Sequence, residues 1–365
     1  MTGYHGGAFF DAIGNEFDSL DRTDEVISAD VLDAWFPPSP EVSRILGRRL
    51  DWAVRTSPPT GSEGLINRIA DTRGVAKESL LPGAGSSSLI FLAFREWLSA
   101  ASRILLLEPT YGEYAHVAEN VVGCRIDRLT LSPDDGFCVD VAQLEDRLNR
   151  GYDLAVIVNP NNPTGRHIPR QYLIEVLSRV SPQTLVWIDE TYVDYVDAGE
   201  SVERFAATSR NVIVCKSMSK VYALSGLRVG YLCGSPDLIG PLRMLTPPWA
   251  VSLPGQIAAV TALQDAQYYC RRYSETHCLR ERLRDGLLAL ADFTIVPGVA
   301  NYLLCRLPSD APNAPEFIAC CRSEKLFLRD ASATAPSLDN RWFRIAVKDA
   351  ETNRRMTEII SRSLS

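Results

Sequence analysis

Leu154-Ala155-Val156-Ile157-Val158-Asn159-Pro160-Asn161-Asn162-Pro163-Thr164-Gly165 is the stretch whose reading decides the fold. Its first five residues are apolar and bounded by turn formers, which fits a short strand buried on both faces. Asn, Pro and Gly are ordinary turn residues, but the seven from Asn159 to Gly165 exceed what one turn requires. In open α/β sheets, ligands sit beyond the carboxyl ends of strands, and this polar run occupies such a place. Similar short runs recur at 103–107, 185–188, 212–215 and 229–233. Between them lie helical patterns, as in 89–98, where Leu89, Ala93, Phe94, Trp97 and Leu98 recur at helical spacing. Strands alternating with helices predict an α/β fold with a mostly parallel central sheet flanked by helices.

After residue 247 the texture changes. Pro247-Pro248 and Pro254-Gly255 break the chain, and one long helical pattern runs from about 256 to 290. A strand at 302–307, a helix near 315–323 and a strand at 342–347 follow, which predicts a smaller α+β domain. The expected division is an N-terminal arm (1–34) contributing to the small domain, a large domain (35–247) and a small C-terminal domain (248–365).

Composition narrows the function. The 365 residues are 46% hydrophobic and 23% charged, which excludes disordered, collagen-like and coiled-coil chains. With 38 basic against 45 acidic residues, a nucleic-acid partner is not expected, because phosphate binding needs a basic face. No apolar run approaches the roughly 18 residues of a membrane span, and no secretory signal is visible at the N-terminus. The nine cysteines form no C-x-x-C pair and several lie in strand-like runs. They read as buried thiols of a cytoplasmic protein. With four histidines, no metal site is expected.

Four motifs carry chemistry. Gly83-Ala84-Gly85-Ser86-Ser87-Ser88 precedes a helix, so its amides can approach an anion at the helix N-terminus. A dinucleotide fold wants a third glycine at 88, where serine stands, although Glu108 follows where a ribose-binding acid belongs. The Asn159–Gly165 run is the second motif. Asp189, in Trp187-Ile188-Asp189-Glu190-Thr191-Tyr192, ends an apolar strand and needs a cation or donors unless it caps a helix. Lys220, in Cys215-Lys216-Ser217-Met218-Ser219-Lys220, lies just past another strand, with Arg228 eight residues on. A lysine desolvated near other cations loses proton affinity and can attack a carbonyl. A phosphate cradle, an aldimine-forming lysine, an acid for a ring nitrogen and an amide for a phenolic oxygen together match one cofactor, pyridoxal 5′-phosphate.

With those residues in view, the chain resembles the fold-type I aminotransferases of class I/II over nearly its whole length. The motifs are NPNNPTG (159–165), DETY (189–192) and SMSK through GLRVGY (217–231). Within that superfamily it is similar to histidinol-phosphate aminotransferase and, more closely, threonine-phosphate decarboxylase. The latter likeness rests on His5-Gly6-Gly7, Pro297-Gly298, Asn301-Tyr302-Leu303-Leu304, Phe327-Leu328-Arg329-Asp330 and 341–348. The resemblance implies that Lys220 bonds the cofactor and shuttles the α-proton, while Asp189 keeps the ring nitrogen protonated. It implies that Asn162 and Tyr192 donate to the phenolic oxygen and that Tyr111 stacks on the ring. Gly85, Ser86, Ser87, Ser217, Ser219 and Arg228 would hold the phosphate, Arg344 the substrate carboxylate, and Arg329 would reach toward a distal phosphate. It also implies a homodimer with active sites at the interface.

Departures bear on the substrate. Relatives carry a tyrosine that reaches the neighbouring subunit's cofactor phosphate, where this chain reads Arg55-Thr56-Ser57-Pro58-Pro59. They carry an Asn-Pro-Leu-Gly loop where this chain has Asp33-Ala34-Trp35-Phe36. An acid and aromatics suit a cationic side chain better than a phosphorylated one, or the loop merely packs against the partner subunit. The expected activity acts on an L-amino acid through an external aldimine and an α-carbanion, most simply as an aminotransferase. Decarboxylation, or elimination and cyclisation of a hydroxylated arginine-like amino acid as in capreomycidine and enduracididine synthases, shares the same first steps. A non-catalytic cofactor-binding module would need a DNA-binding domain for which there is no room. A nicotinamide oxidoreductase would leave Lys220, Asp189 and 159–165 unexplained.

Overall fold

The computed structural model describes residues 7–17, 19–335 and 337–364, so His5 and Gly6 of the N-terminal motif lie outside the described residues. A short strand β1 (Ile27–Ser28) precedes the central sheet. That sheet contains β2 (Leu80–Gly83), β3 (Arg103–Glu108), β4 (Arg125–Thr130), β5 (Leu154–Val158), β6 (Leu185–Asp189), β7 (Val212–Ser217) and β8 (Gly230–Cys233). Its spatial order is β2-β8-β7-β6-β5-β3-β4. β8 runs antiparallel to both neighbours and the other pairs are parallel, so β2 to β7 all point the same way.

The strand reading from sequence missed β2 and β4, and it took 229–233 as parallel. Both missed strands are sheet edges. Pro82 in β2 is tolerated there, where a lost N–H costs no ladder bond, and β4 alternates polar and apolar side chains because one face is partly exposed. The inner strands are covered on both sides. Leu105, Ala155, Ile157, Val186, Ile188, Val212 and Val214 enter one buried cluster. The alternate residues Ile104, Leu106, Leu154, Val156, Val158, Trp187, Ile213 and Cys215 enter the other. Period-2 alternation between two buried faces is what a continuous apolar run produces.

Five shorter strands belong to the remainder: β9 (Thr294–Ile295), β10 (Tyr302–Arg306), β11 (Leu326–Phe327), β12 (Arg329–Asp330) and β13 (Trp342–Ala346). Four of them form an antiparallel sheet in the order β12-β13-β10-β9. β1 pairs in parallel with β11, and Ala346 N donates to Ala29 O at 3.0 Å. These bonds seat residues 29–33 beside the end of β13. The long helical pattern is two helices, Leu253–Ala262 and Ala266–Leu288. Asp265 starts the second as its N-cap, accepting from Tyr268 N. Five cysteines are buried, but Cys138, Cys270, Cys278 and Cys320 are exposed, contrary to the expectation of uniformly buried thiols. Helical surface positions at 270, 278 and 320 explain most of that difference.

Beneath the strand ends lies a buried ionic cluster. Lys216 Nζ is 3.2 Å from both Glu190 Oε2 and Asp194 Oδ2, and 3.7 Å from Glu203 Oε2. Arg73 Nη2 donates to Asp194 Oδ1 at 2.9 Å, and Tyr231 OH donates to Glu203 Oε1 at 2.8 Å. Burial alone would raise the Asp194 pKa, but Arg73 and Lys216 hold it well below the usual carboxylate range. A depressed folded-state pKa contributes stability that is present above the unfolded value of about 4 and lost as the pH falls below it. Replacing Asp194 with Asn should therefore cost about 3–5 kcal/mol at neutral pH, because two buried cations lose their shared carboxylate. Urea unfolding of the two proteins should also show a smaller difference in acid; equal stability at pH 7 would reject this account.

Candidate active site

Register aligns the ends of the strands. Val158 pairs with Asp189, Asp189 with Cys215, and Gly230 with both Ser217 and Gly83. The polar motifs that follow β2, β3, β5, β6 and β7 therefore open onto one cavity. Its lining includes Ser86, Ser87, Tyr111, Asn162, Asp189, Tyr192, Ser217, Ser219, Lys220, Arg228 and Arg344.

One end of the cavity is a cradle of donors. Gly85 has φ +83°, a conformation that favours glycine, and a Cβ there would lie 2.5 Å from Arg228 Nη2 and push the guanidinium from its place. Gly230 is more tightly confined, since its Cβ would lie 2.8 Å from Lys216 O and 2.9 Å from Ser86 N, both backbone atoms. The helix Ser86–Trp97 begins here and presents its unpaired first amides. Arg228, itself at φ +52°, donates to Ser225 O at 2.9 Å. A cation, hydroxyls and helix amides around a space kept clear by glycines match a phosphate dianion.

Opposite stands Asp189, which is 3% exposed. Its Oδ1 accepts from Thr191 N at 2.9 Å and Thr191 Oγ1 at 2.6 Å, and Oδ2 accepts from Tyr114 OH at 2.6 Å. Burial pushes its pKa up, and the Thr191 and Tyr114 donors pull the other way. An acid so placed matches a heterocyclic N–H.

Each asparagine of 159–165 has its own task. Asn159 exchanges two bonds with Ile168, through Nδ2 to O at 2.9 Å and from N to Oδ1 at 2.8 Å. Asn161 joins the β5 loop to the β3 loop, donating to Pro109 O and accepting from Thr110 Oγ1, both at 2.9 Å. Asn162 Oδ1 accepts from Arg344 Nη1 at 2.6 Å, which leaves its NH2 as the remaining donor. Gly165, at φ +68°, passes Gly298, whose Cα would lie 2.9 Å from an added Cβ. Tyr192 packs edge-on against Tyr302 at 5.3 Å, and burial lifts its phenol well above the ordinary value, keeping it a donor.

Lys220 Nζ donates to Asp33 Oδ1 at 2.7 Å, and Ser225 Oγ donates to the same oxygen at 2.6 Å. Burial, Arg228 and Arg344 depress the lysine's proton affinity, while Asp33 opposes them. Arg344 Nη2 donates to Asp30 O at 2.8 Å, and its buried Nε has no hydrogen-bond partner among the described residues. Arg329 sits directly across from Arg344 in the β12–β13 ladder, and so on the same face, but it does not line the cavity.

Neither Asp33 nor Trp35, expected to line the substrate space together, lines the cavity: Asp33 reaches it through Lys220, and Trp35 turns away. Trp35 Nε1 donates to Thr276 Oγ1 at 2.8 Å, and Arg272 already lies over its ring at 5.7 Å. The indole is turned onto the helix Ala266–Leu288 because a buried N–H needs an acceptor. Thr56 and Ser57, beyond the helix Pro40–Arg55, do not line the cavity either. Glu108 pairs with Arg128 at 2.9 Å, an internal use that leaves no ribose-binding acid. Tyr114 and Ser225 were missed from sequence, since each reads as an ordinary core or surface residue without its spatial neighbours.

Residues 53–360 match the family model described as aminotransferase class I and II. Histidinol-phosphate aminotransferase of Staphylococcus aureus (strain bovine RF122) is 33% identical over 249 residues, 68% of this chain and 69% of that protein. Among solved structures, histidinol-phosphate aminotransferase from Sinorhizobium meliloti, in complex with pyridoxal-5′-phosphate, superposes with a TM-score of 0.83 at 22% identity. That match covers 92% of this chain and 91% of the other. L-threonine-O-3-phosphate decarboxylase from Porphyromonas gingivalis gives 0.80 at 20% identity, covering 92% and 99%. The chain belongs to the class I and II aminotransferase family, and it is a pyridoxal 5′-phosphate-dependent enzyme of that family.

Proposed function

We propose that the cavity holds pyridoxal 5′-phosphate through Lys220 and acts at the α-carbon of a small-molecule L-amino acid, most simply as an aminotransferase. The observation that carries this reading is a single cavity lined by a lysine, an arginine–serine cradle and a donor-supported buried aspartate. When bound, the cofactor supplies an electron sink for the pair left at the α-carbon. Gly85, Ser86, Ser87, Ser217, Ser219 and Arg228 hold the phosphate, and Asp189 faces the ring nitrogen. Asn162 and Tyr192 donate to the phenolic oxygen, and Tyr111, beside them on the wall, covers the ring. Lys220 Nζ removes the α-proton and returns it, which needs a neutral amine at working pH. Arg344 takes the substrate carboxylate, to which it offers the buried Nε that has no hydrogen-bond partner among the described residues. Arg329, one strand out, extends the anion-binding face. The reading includes a homodimer in the cytoplasm, with another group serving where relatives place the cross-subunit tyrosine near Thr56 and Ser57.

A second reading concerns the substrate. Asp33 is paired with Lys220, which lines the cavity. Once Lys220 is engaged elsewhere, that carboxylate is available to a cationic side chain. This favours an arginine-like substrate, with elimination and cyclisation, or decarboxylation, as the alternative outcomes to amino transfer.

Borohydride reduction of the cofactor-loaded protein should fix pyridoxal phosphate covalently at Lys220, and Lys220→Ala should abolish both fixation and turnover. A protein that takes up no pyridoxal phosphate would overturn the whole reading. Asp33→Asn should raise KM for arginine-like substrates about tenfold more than for neutral ones, the worth of a hydrogen bond to a charged group. Any effect transmitted through Lys220 is common to both substrates, so an unchanged ratio would reject the cationic-substrate reading. Product analysis by mass spectrometry then separates keto acid from loss of CO2 or water.

A further inference from the structure

Asp189 is held by a chain of donors that begins outside the cavity. Trp187 Nε1 lies 2.9 Å from Tyr114 OH, and Tyr114 OH lies 2.6 Å from Asp189 Oδ2. The direction of both bonds is forced. An indole nitrogen only donates, so the phenol oxygen accepts from Trp187 and its single hydrogen goes to the carboxylate. Trp187 and Tyr114 are 0% exposed, so neither bond is shared with water.

Tyr114 also ties the segment after β3 to strand β6. It lies on the short helix Gly112–His116 after β3, and its ring meets Tyr111 edge-to-face at 5.9 Å and 83°. Phe94 and Trp187 pack around it at 5.9 and 6.3 Å. Within this segment the sequence reading placed Tyr111 alone in the site, yet Tyr114 makes the contact to the acid.

We propose that Tyr114 is a positioning residue that keeps Asp189 ionised and aimed at the cofactor's ring nitrogen, and that Trp187 sets the phenol's direction. The proposal rests on the reading of Asp189 as the ring nitrogen's partner. A carboxylate that already accepts three hydrogen bonds is a weaker base, so the proton shared with the ring stays on nitrogen. Burial and the Asp189 charge push the phenol well above its ordinary pKa, so Tyr114 remains a donor throughout the working range. The other charged group near Asp189 is Lys216, which acts in the same direction as the donors.

The test uses holoenzyme loaded with pyridoxal phosphate carrying ¹⁵N in the ring. Tyr114→Phe should move the ring-nitrogen resonance toward the unprotonated position and raise the cofactor dissociation constant by about tenfold. Trp187→Phe should shift the resonance the same way by less, and it decides the matter should the first variant not accumulate as folded protein. Asp189→Asn is the control and should give the fully unprotonated signal. If that control leaves signal and affinity unchanged, the assignment of Asp189 fails. If the control responds while Tyr114→Phe loses only thermal stability, with resonance and affinity intact, the tyrosine is structural and the proposal is overturned.

Discussion

A sheet covered on both faces has no room for an unpaired charge except at the ends of its strands, and this constraint organises the molecule. Strands β3, β5, β6 and β7 send alternate side chains into two apolar clusters. Burying an isolated charge between them would cost far more than any local bond returns. The charged and polar residues after Glu108, Val158, Asp189 and Ser217 therefore accumulate at one edge, where parallel direction brings them together. The exception proves instructive: Lys216, inside β7, is matched by Glu190, Asp194 and Glu203 with Arg73 beyond. That cluster anchors the chain immediately after Asp189 to the strand immediately before Ser217, so the two halves of the site cannot drift apart without breaking it.

Charge at the site bears no relation to the net charge of −7. Lys220, Arg228 and Arg344 line the cavity, Lys348 interacts with Asp33 and Asp30 beside it, and Arg329 stands opposite Arg344 in the neighbouring strand. Like charges directly across a ladder repel, and Asp30 and Asp33 offset part of that repulsion. Asp33 is the charge whose meaning changed most. It reads from sequence as a lining for substrate, and in three dimensions it first of all holds the lysine.

Much of the fold was legible because parallel strands and their covering helices are written as local patterns. The five apolar runs are all strands, and Gly83–Ser88 opens a helix as the small residues suggested. What local pattern concealed was at the margins: β2 carries Pro82, β4 alternates, and the break at 263–265 lacks glycine or proline, relying on Asp265 as a cap. At the site, the motif residues converge on one cavity, but Trp35 turns away, because its indole N–H finds Thr276 while Arg272 covers its ring.

The sequence by itself determined the family, the cofactor and the residue types at each strand end, since those depend on runs of neighbours. Tertiary structure alone decided which of them touch. Asp33 meets Lys220 across 187 positions, Arg344 meets Asn162 across 182, and Tyr114 meets Asp189 across 75. Contacts at such separations come from packed elements and strand register rather than from spacing along the chain. That is why a tyrosine that reads as core is found donating to the buried acid.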